Sequence, residues 1–307
     1  MKKVEDIYLK KGKRVGELVE DFEKIGGFMA KHVAKGEEIL EKMIKDKECF
    51  RIISFPACIV ATGLRGIIRD MIKFKWFDLV ITTCGTLDHD LARTFKDYYH
   101  GEFLANDLEL RKEGINRLGN VFVPDESYGL IIEEKMKEIL SEMYEEGMRN
   151  LGTYELCWEI GKRLNESSIL FWAWKNQIPI IIPGITDGAV GSQLLFFREK
   201  KPDFNVDILK DEKLLSSLIW KKKKLGALII GGGISKHHTI WWAQFRGGLD
   251  YAIYITTAIE WDGSLSGARP EEAISWKKIK EKADYVMIWG DATLILPIIA
   301  NSLIEKV

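Results

Sequence analysis

Six short apolar runs recur along the chain without the alternation of a half-wet strand: Arg51–Phe55, Asp78–Thr83, Ile178–Ile182, Leu225–Ile230, Tyr251–Thr256 and Tyr285–Trp289. A strand with one wet face alternates polar and apolar residues. A continuous apolar run is covered on both faces, and that is the condition of a strand in a parallel sheet. Helical periodicity separates the runs. It predicts helices over 57–73, from Asp88, over 127–149, 154–165, 168–176, 192–197 and 211–222, from Lys236, and over 291–304. Val121–Val123 adds a brief strand. Strands and helices in turn predict an α/β chain with a doubly wound, mostly parallel sheet.

Ahead of the first strand, residues 15–45 read as helix, with Gly26-Gly27 as a break. Residues 1–50 are therefore expected to form an N-terminal helical arm that packs on a neighbour. Residues 51–307 form the α/β domain. Crossovers between parallel strands are right-handed, so the carboxyl ends of the strands share one edge, where such sheets bind nucleotides. Cys84-Gly85, read as a turn, Asp187-Gly188, Gly231–Gly233, the Asp262–Gly267 loop and Gly290-Asp291 fall on that edge.

Composition narrows the function classes. Hydrophobic residues make up 46% of the chain and charged residues 30%, enough for a substantial core. A net charge of -1 gives no footprint for nucleic acid. No apolar run spans a bilayer, and the N-terminus lacks a signal-peptide core, so cytoplasmic residence is expected. Four scattered cysteines and five histidines lack ligand spacing, and no metal is expected.

Three stretches carry chemistry. Gly231-Gly-Gly-Ile-Ser-Lys-His-His238 joins a strand to a helix, and its glycines serve equally a phosphate or a tight turn. His237 and His238 at the helix start are candidates for a base or a hydrogen-bond donor. Asp187 and Asp291 can each accept from a ribose or cap the following helix. In Thr257–Lys280, a loop of small residues precedes Arg269-Pro270 and a helix that opens with Glu271-Glu272. Ser275-Trp276-Lys277-Lys278 follows on that helix. A lysine against a tryptophan and a second cation is a candidate nucleophile of lowered pKa.

These residues resemble the deoxyhypusine synthase family, of the archaeal type. The resemblance is densest over 251–303, in Asp262-Gly263-Ser264, Ser266-Gly-Ala-Arg-Pro270, Ser275-Trp276, Lys278-Ile279 and Asp291-Ala292, and it extends to Lys236-His-His238, Thr186-Asp-Gly188 and Gly114-Ile-Asn-Arg117. It implies a Rossmann-like, NAD-binding fold. It also implies an enzyme that moves the 4-aminobutyl group of spermidine, through an imine on Lys278, to a lysine of the translation factor 5A precursor. His237 is implied as the group beside the amine. NAD is implied to contact Thr83, Cys84, Gly85, Asp187, Gly232, Thr257, Ala258, Asp291 and Ala292. Spermidine is implied to meet His237, Gly263, Ser264, Glu272 and Trp276. A homotetramer with active sites between subunits is implied as well.

The chain departs from the family pattern at several positions. His89, Ser192 and Leu265 stand at acidic positions, and Lys277 stands where the family has glycine before the nucleophile. Asp88, Asp90 and Glu272 are the carboxylates expected to make up the lost charge. An aminobutyl transferase with another donor or a small-molecule acceptor, of the homospermidine synthase type, is the alternative enzyme. A silent NAD-binding subunit is the alternative of another class, and the presence of both Lys278 and His237 speaks against it.

Overall fold

The computed structural model describes all 307 residues, Met1–Val307. The chain opens with α1 (Val15–Ile25), α2 (Phe28–Lys45), β1 (Cys49–Ser54), α3 (Leu64–Lys73), β2 (Leu79–Ile81) and α4 (Cys84–Phe95). It continues through β3 (Tyr99–His100), α5 (Asp107–Lys112), β4 (Ile115–Leu118), β5 (Val121–Pro124), α6 (Gly129–Glu145), β6 (Asn150–Leu151), α7 (Thr153–Lys162), α8 (Ile169–Asn176) and β7 (Ile180–Ile181). Then come α9 (Ala189–Lys200), β8 (Asn205–Val206), α10 (Ile208–Leu218), β9 (Lys224–Ile230) and α11 (Gly233–Gln244). The last elements are β10 (Leu249–Thr256), α12 (Pro270–Ser275), β11 (Ile279–Trp289) and α13 (Ala292–Leu303). The expected α/β class and mostly parallel sheet are present. No helix is long and apolar enough to cross a membrane.

The chain divides into two compact units. The first comprises 1–55, 76–81 and 215–307. Its strands run parallel in the order β11-β10-β9-β1-β2. Ile53 is level with Leu228, Ile253 with Leu228, and Tyr254 with Met287. Side chains along a strand alternate faces, and here both faces are covered. On one, Gly36 lets α2 close on Ile253, Val286 and Ile288. On the other, Lys236 of α11 lies over the Tyr254 ring. Helices on both faces make the sheet doubly wound, and Ile52, Ile53, Leu228, Ile253 and Ile288 at its centre are almost wholly buried. The helix expected to pack on a neighbour lies on its own sheet: α2 buries Val33, Ile39, Leu40 and Met43 and sets His32 Nδ1 2.7 Å from the Met287 carbonyl.

The second unit comprises 56–75 and 82–214. It holds the antiparallel ribbon β3-β5-β4 and a group of helices tied by two buried carboxylates. Asp90 of α4 accepts from Arg65 Nε at 2.6 Å, Ser168 Oγ at 2.6 Å and the Ile169 and Leu170 amides at the start of α8. Asp88 accepts from the Ala189 and Val190 amides at the start of α9 and from the Tyr128 hydroxyl at 2.8 Å. Both are wholly buried, so neither is a spare carboxylate for an amine, contrary to the sequence expectation. A caged carboxylate satisfies helix-start amides that would otherwise be orphaned.

Two boundaries differ from expectation for local reasons. Cys84-Gly85-Thr86 is not a turn but the first turn of α4, entered from Thr83 in extended geometry. Residues 279–282 do not continue the helix face that the Lys-Ile-Lys-Glu-Lys pattern of 278–282 resembles. They begin β11.

Candidate functional site

Lys278 is placed by the way α12 ends. The helix starts with extended Arg269, Pro270 at its first position and Glu271 and Glu272 in its first turn. It stops at Ser275 through a left-handed residue. The Lys277 amide donates to the Ile274 carbonyl and the Lys278 amide to the Ala273 carbonyl, both at 2.9 Å. Lys277 has φ 57. This pair of bonds, six-to-one outside five-to-two, closes a helix around a residue that is usually glycine. Lys277 and Lys278 are therefore not neighbours on a helix. Lys277 is exposed at the corner, and Lys278 turns inward with only 9% of its surface accessible. Its Nζ lies 5.4 Å from the Trp276 ring centroid.

α11 supplies the opposing side chains. It buries Ser235, Lys236, Thr239, Ile240 and Ala243, a helical stripe that carries Lys236 inward. His237, next on the helix, is exposed and stacks on Trp241 one turn on, with ring centroids 5.8 Å apart. Burial, and after it the charge of Lys278, hold the His237 imidazole below its ordinary pKa. Lys236 is 1% exposed. Its Nζ donates to the Ala268 carbonyl at 2.9 Å and lies 4.2 Å over the Tyr254 ring. Burial pushes this ammonium down to about 8, with Glu272 pulling the other way. The Tyr254 hydroxyl is buried and without a hydrogen-bond partner, and burial pushes its pKa up.

Between α11 and α12 the Asp262–Gly267 loop is wound tightly on itself. Asp262 Oδ1 accepts from the Ser264 amide at 2.7 Å, and the Gly267 amide donates to the Ser264 carbonyl at 3.2 Å. What demands glycine here is the protein itself. A Cβ at Gly267 would lie 1.8 Å from the Ile259 carbonyl oxygen, and one at Gly232 would lie 2.1 Å from Ser266 Oγ. The loop is thereby pressed onto the start of α11, with Leu265 turned into the space between α11 and α12.

That space is a cavity of about 320 Å³. It brings together Lys278, His237, Glu272 and Trp276 from the expected set. It adds Lys236, Tyr254, Trp241, Leu265 and Arg269. The expected Gly263 and Ser264 are exposed on the loop and are not among its lining residues. Arg269 turns to Glu260, with which it forms an ion pair, and its guanidinium lies 5.3 Å from the Trp289 ring centroid. Lys236 is the residue that sequence reasoning passed over. Its signal was spacing: Lys236, Ile240 and Ala243 share one helix face, which marks the lysine as inward.

The other expected residues stand at strand-to-helix junctions. In the first unit, Gly232 precedes α11, Thr257 is exposed after β10, and the Ala258 amide donates to Thr256 Oγ1 at 3.0 Å. Asp291 takes the capping role, accepting from the Thr293 amide at 2.6 Å, and Ala292 opens α13. In the second unit, Thr83 Oγ1 accepts from the Ala57 amide at 3.2 Å. Cys84 is wholly buried and its thiol is pushed up to about 12 by burial, so it offers backbone and not sulfur. Gly85 lies in the first turn of α4, and Asp187 is exposed ahead of α9. His89 meets the Tyr98 hydroxyl at 2.9 Å, and burial pushes its imidazole down to about 4. Ser192 Oγ donates to the Gly188 carbonyl at 3.2 Å. No group of three or more His, Cys, Asp or Glu is placed to hold a metal ion.

Comparison with known proteins identifies the family. The family model described as deoxyhypusine synthase matches residues 17–303. A curated relative from Picrophilus torridus, named probable deoxyhypusine synthase, is 59% identical over 96% of this chain and 95% of its own. One of the same name from Thermoplasma acidophilum is 54% identical over the same shares. Among solved structures, an Entamoeba histolytica protein described as a "putative deoxyhypusine synthase" superposes with a TM-score of 0.66 at 22% identity. It covers 96% of this chain and 95% of its own, and it speaks to the fold. With a family match from the first helix to the last and relatives this similar along nearly their whole length, the chain belongs to the deoxyhypusine synthase family of transferases.

Proposed function

We propose that the chain transfers the 4-aminobutyl group of spermidine, through an imine on Lys278, to a lysine of the translation factor 5A precursor, with NAD as cofactor. The observation that carries this is the cavity that gathers Lys278, Trp276, Glu272 and His237 around one space, in a member of this family. NAD, when bound, supplies the acceptor for the hydride that turns the donor's amine into an imine, and returns that hydride to the final one. The residues at hand fit such a group. α11 starts without a side-chain cap, and a Cβ at Gly233 would meet nothing within 4 Å. A helix start with free amides beside open space suits a phosphate. Gly232, Thr257, Ala258, Asp291 and Ala292 of the same unit are the residues proposed to hold it.

The chain's own residues then do the following. Glu272 seats an ammonium of the substrate, and Trp276 covers its methylenes. The lone pair of Lys278 Nζ adds to the imine carbon of the oxidised donor. His237, held neutral at pH 7, can take the proton that Nζ sheds and pass it to the departing nitrogen. The carbon–nitrogen bond to 1,3-diaminopropane breaks, and the aminobutyl group stays on Lys278 as an imine. The amine of the acceptor lysine adds to the same carbon, and the bond to Lys278 breaks in turn. The working enzyme is proposed to be a homotetramer with active sites between subunits.

Borohydride trapping with labelled spermidine and NAD tests the reading. Label is expected on the wild type and not on Lys278→Ala, and the factor 5A precursor should gain the mass of an aminobutyl group. Absence of label from the wild type under all conditions would overturn it. Transfer to putrescine with none to the precursor would instead favour the small-molecule reaction.

A further inference from the structure

No helix or strand covers residues 257–269, the stretch that joins β10 to α12 and lends Leu265, Ala268 and Arg269 to the cavity. A loop that walls a site has to be held by something other than a ladder of backbone hydrogen bonds. Here the two limbs of the loop meet at their base. The backbone of Gly267 lies against the Ile259 carbonyl, and the Arg269 side chain crosses to Glu260 as an ion pair. The same guanidinium lies 5.3 Å from the Trp289 ring centroid. Trp289 is a fixed platform. Its amide donates to Met29 Sδ of α2 at 3.3 Å. Its ring lies 6.3 Å from that of His32, which is itself anchored to the Met287 carbonyl at 2.7 Å.

Arg269 and Glu260 are each about half exposed, and an ion pair so placed contributes little to stability. What it supplies is orientation. A planar guanidinium can meet a carboxylate with its edge and an aromatic ring with its face at once, which an ammonium cannot. Arg269 is also the extended residue before Pro270, the first residue of α12, with Glu272 in the turn that follows. Fixing its side chain therefore fixes the loop on one side and the start of α12 on the other. We propose that Arg269, clamped between Glu260 and Trp289, is a positioning residue that holds the 257–269 loop and Glu272 at the spacing a bound amine requires. This rests on the aminobutyl-transfer reading above and adds to it the residue that sets the width of the site. Trp289 is not among the lining residues, so it reaches the amine through the side chain it supports.

Kinetics of the full chain at saturating NAD test this. Arg269→Lys keeps the charge and loses the plane. It should raise KM for spermidine about tenfold and leave kcat within about twofold of the wild type. Trp289→Leu should do the same, and Trp289→Phe, which keeps an aromatic face, should stay near the wild-type KM. The double variant Arg269→Lys/Trp289→Leu should be no worse than either single one, since both changes break one clamp. Independent structural losses would multiply instead, and that result would overturn the proposal. So would a wild-type KM for Arg269→Lys, or a Trp289→Phe as impaired as Trp289→Leu. If Trp289→Leu does not fold, Glu260→Gln takes its place in the cycle. If the wild type transfers nothing, the transfer reading fails, and the same ratios are read from spermidine binding by calorimetry. Their absence there, or no binding by the wild type, overturns the clamp as well.

Discussion

Lys277 and Lys236 show what single residues do in this fold. Lys277 pays for a left-handed corner that glycine would adopt freely, a cost of about 1 kcal/mol. Lys277→Gly should therefore raise stability by about 0.5–1 kcal/mol, read as a higher urea midpoint with unchanged slope. Lys236 gives a pH signature. Its folded pKa of about 8 lies below its ordinary 10.5, so between these values the unfolded chain holds a proton that the folded chain has lost. Stability then rises with pH across that window, and the penalty is fully present below it. Urea titrations from pH 7 to 10.5 should show the wild type gaining up to about 3 kcal/mol relative to Lys236→Met. A flat difference between the two would contradict the burial argument. Trp276 marked the stretch that carries Lys277 and Lys278, but the choice of Lys278 came from the resemblance to the family and not from the spacing. The inward turn of Lys236 was harder to read, since a lysine on a helix is read as solvated unless its spacing from Ile240 and Ala243 is weighed first.

At the scale of elements, ends were harder to read than bodies. Nothing in Ser275-Trp276-Lys277-Lys278 marks a helix stop, because the residue at the left-handed position is not glycine. The start of α9 at Ala189 was equally hidden. Its cap is Asp88, a hundred residues earlier in the chain and brought there by the fold. Removing it in Asp88→Ala leaves two amides and the Tyr128 hydroxyl without their acceptor, at a cost of about 2–4 kcal/mol. A lower melting temperature for Asp88→Ala than for the wild type checks this. The loop over α11 gives a sharper case. Gly267→Ala cannot be accommodated without moving the Ile259 carbonyl. The variant should lose amine binding by tenfold or more while its far-ultraviolet circular dichroism stays that of the wild type. Wild-type affinity in that variant would show that the loop adapts.

For the whole molecule, the fold class was legible because unbroken apolar strands have few places to go. The division into two units was not, since each unit is assembled from separate stretches of sequence and no linker marks a border. The second unit depends on one buried ion pair, in which Asp90 is fully enclosed and Arg65 nearly so. Breaking such a pair from one side leaves an uncompensated charge, so Asp90→Ala should cost about 3–5 kcal/mol. Thermal unfolding should show the loss as a lower transition, and a melting temperature within a degree of the wild type would contradict it.

The backbone of Lys278 is held at both of its polar groups. Its amide is bonded to Ala273, and its carbonyl accepts from the Leu249 amide at 3.0 Å where β10 meets β11. It is a fixed post carrying a hinged arm of four methylenes. Anything bonded to the end of that arm can be swung between two partners by side-chain torsions alone, with no segment of chain displaced. In the proposed transfer, the length of the arm, and not the motion of a lid, marks out the arc within which the receiving amine must arrive.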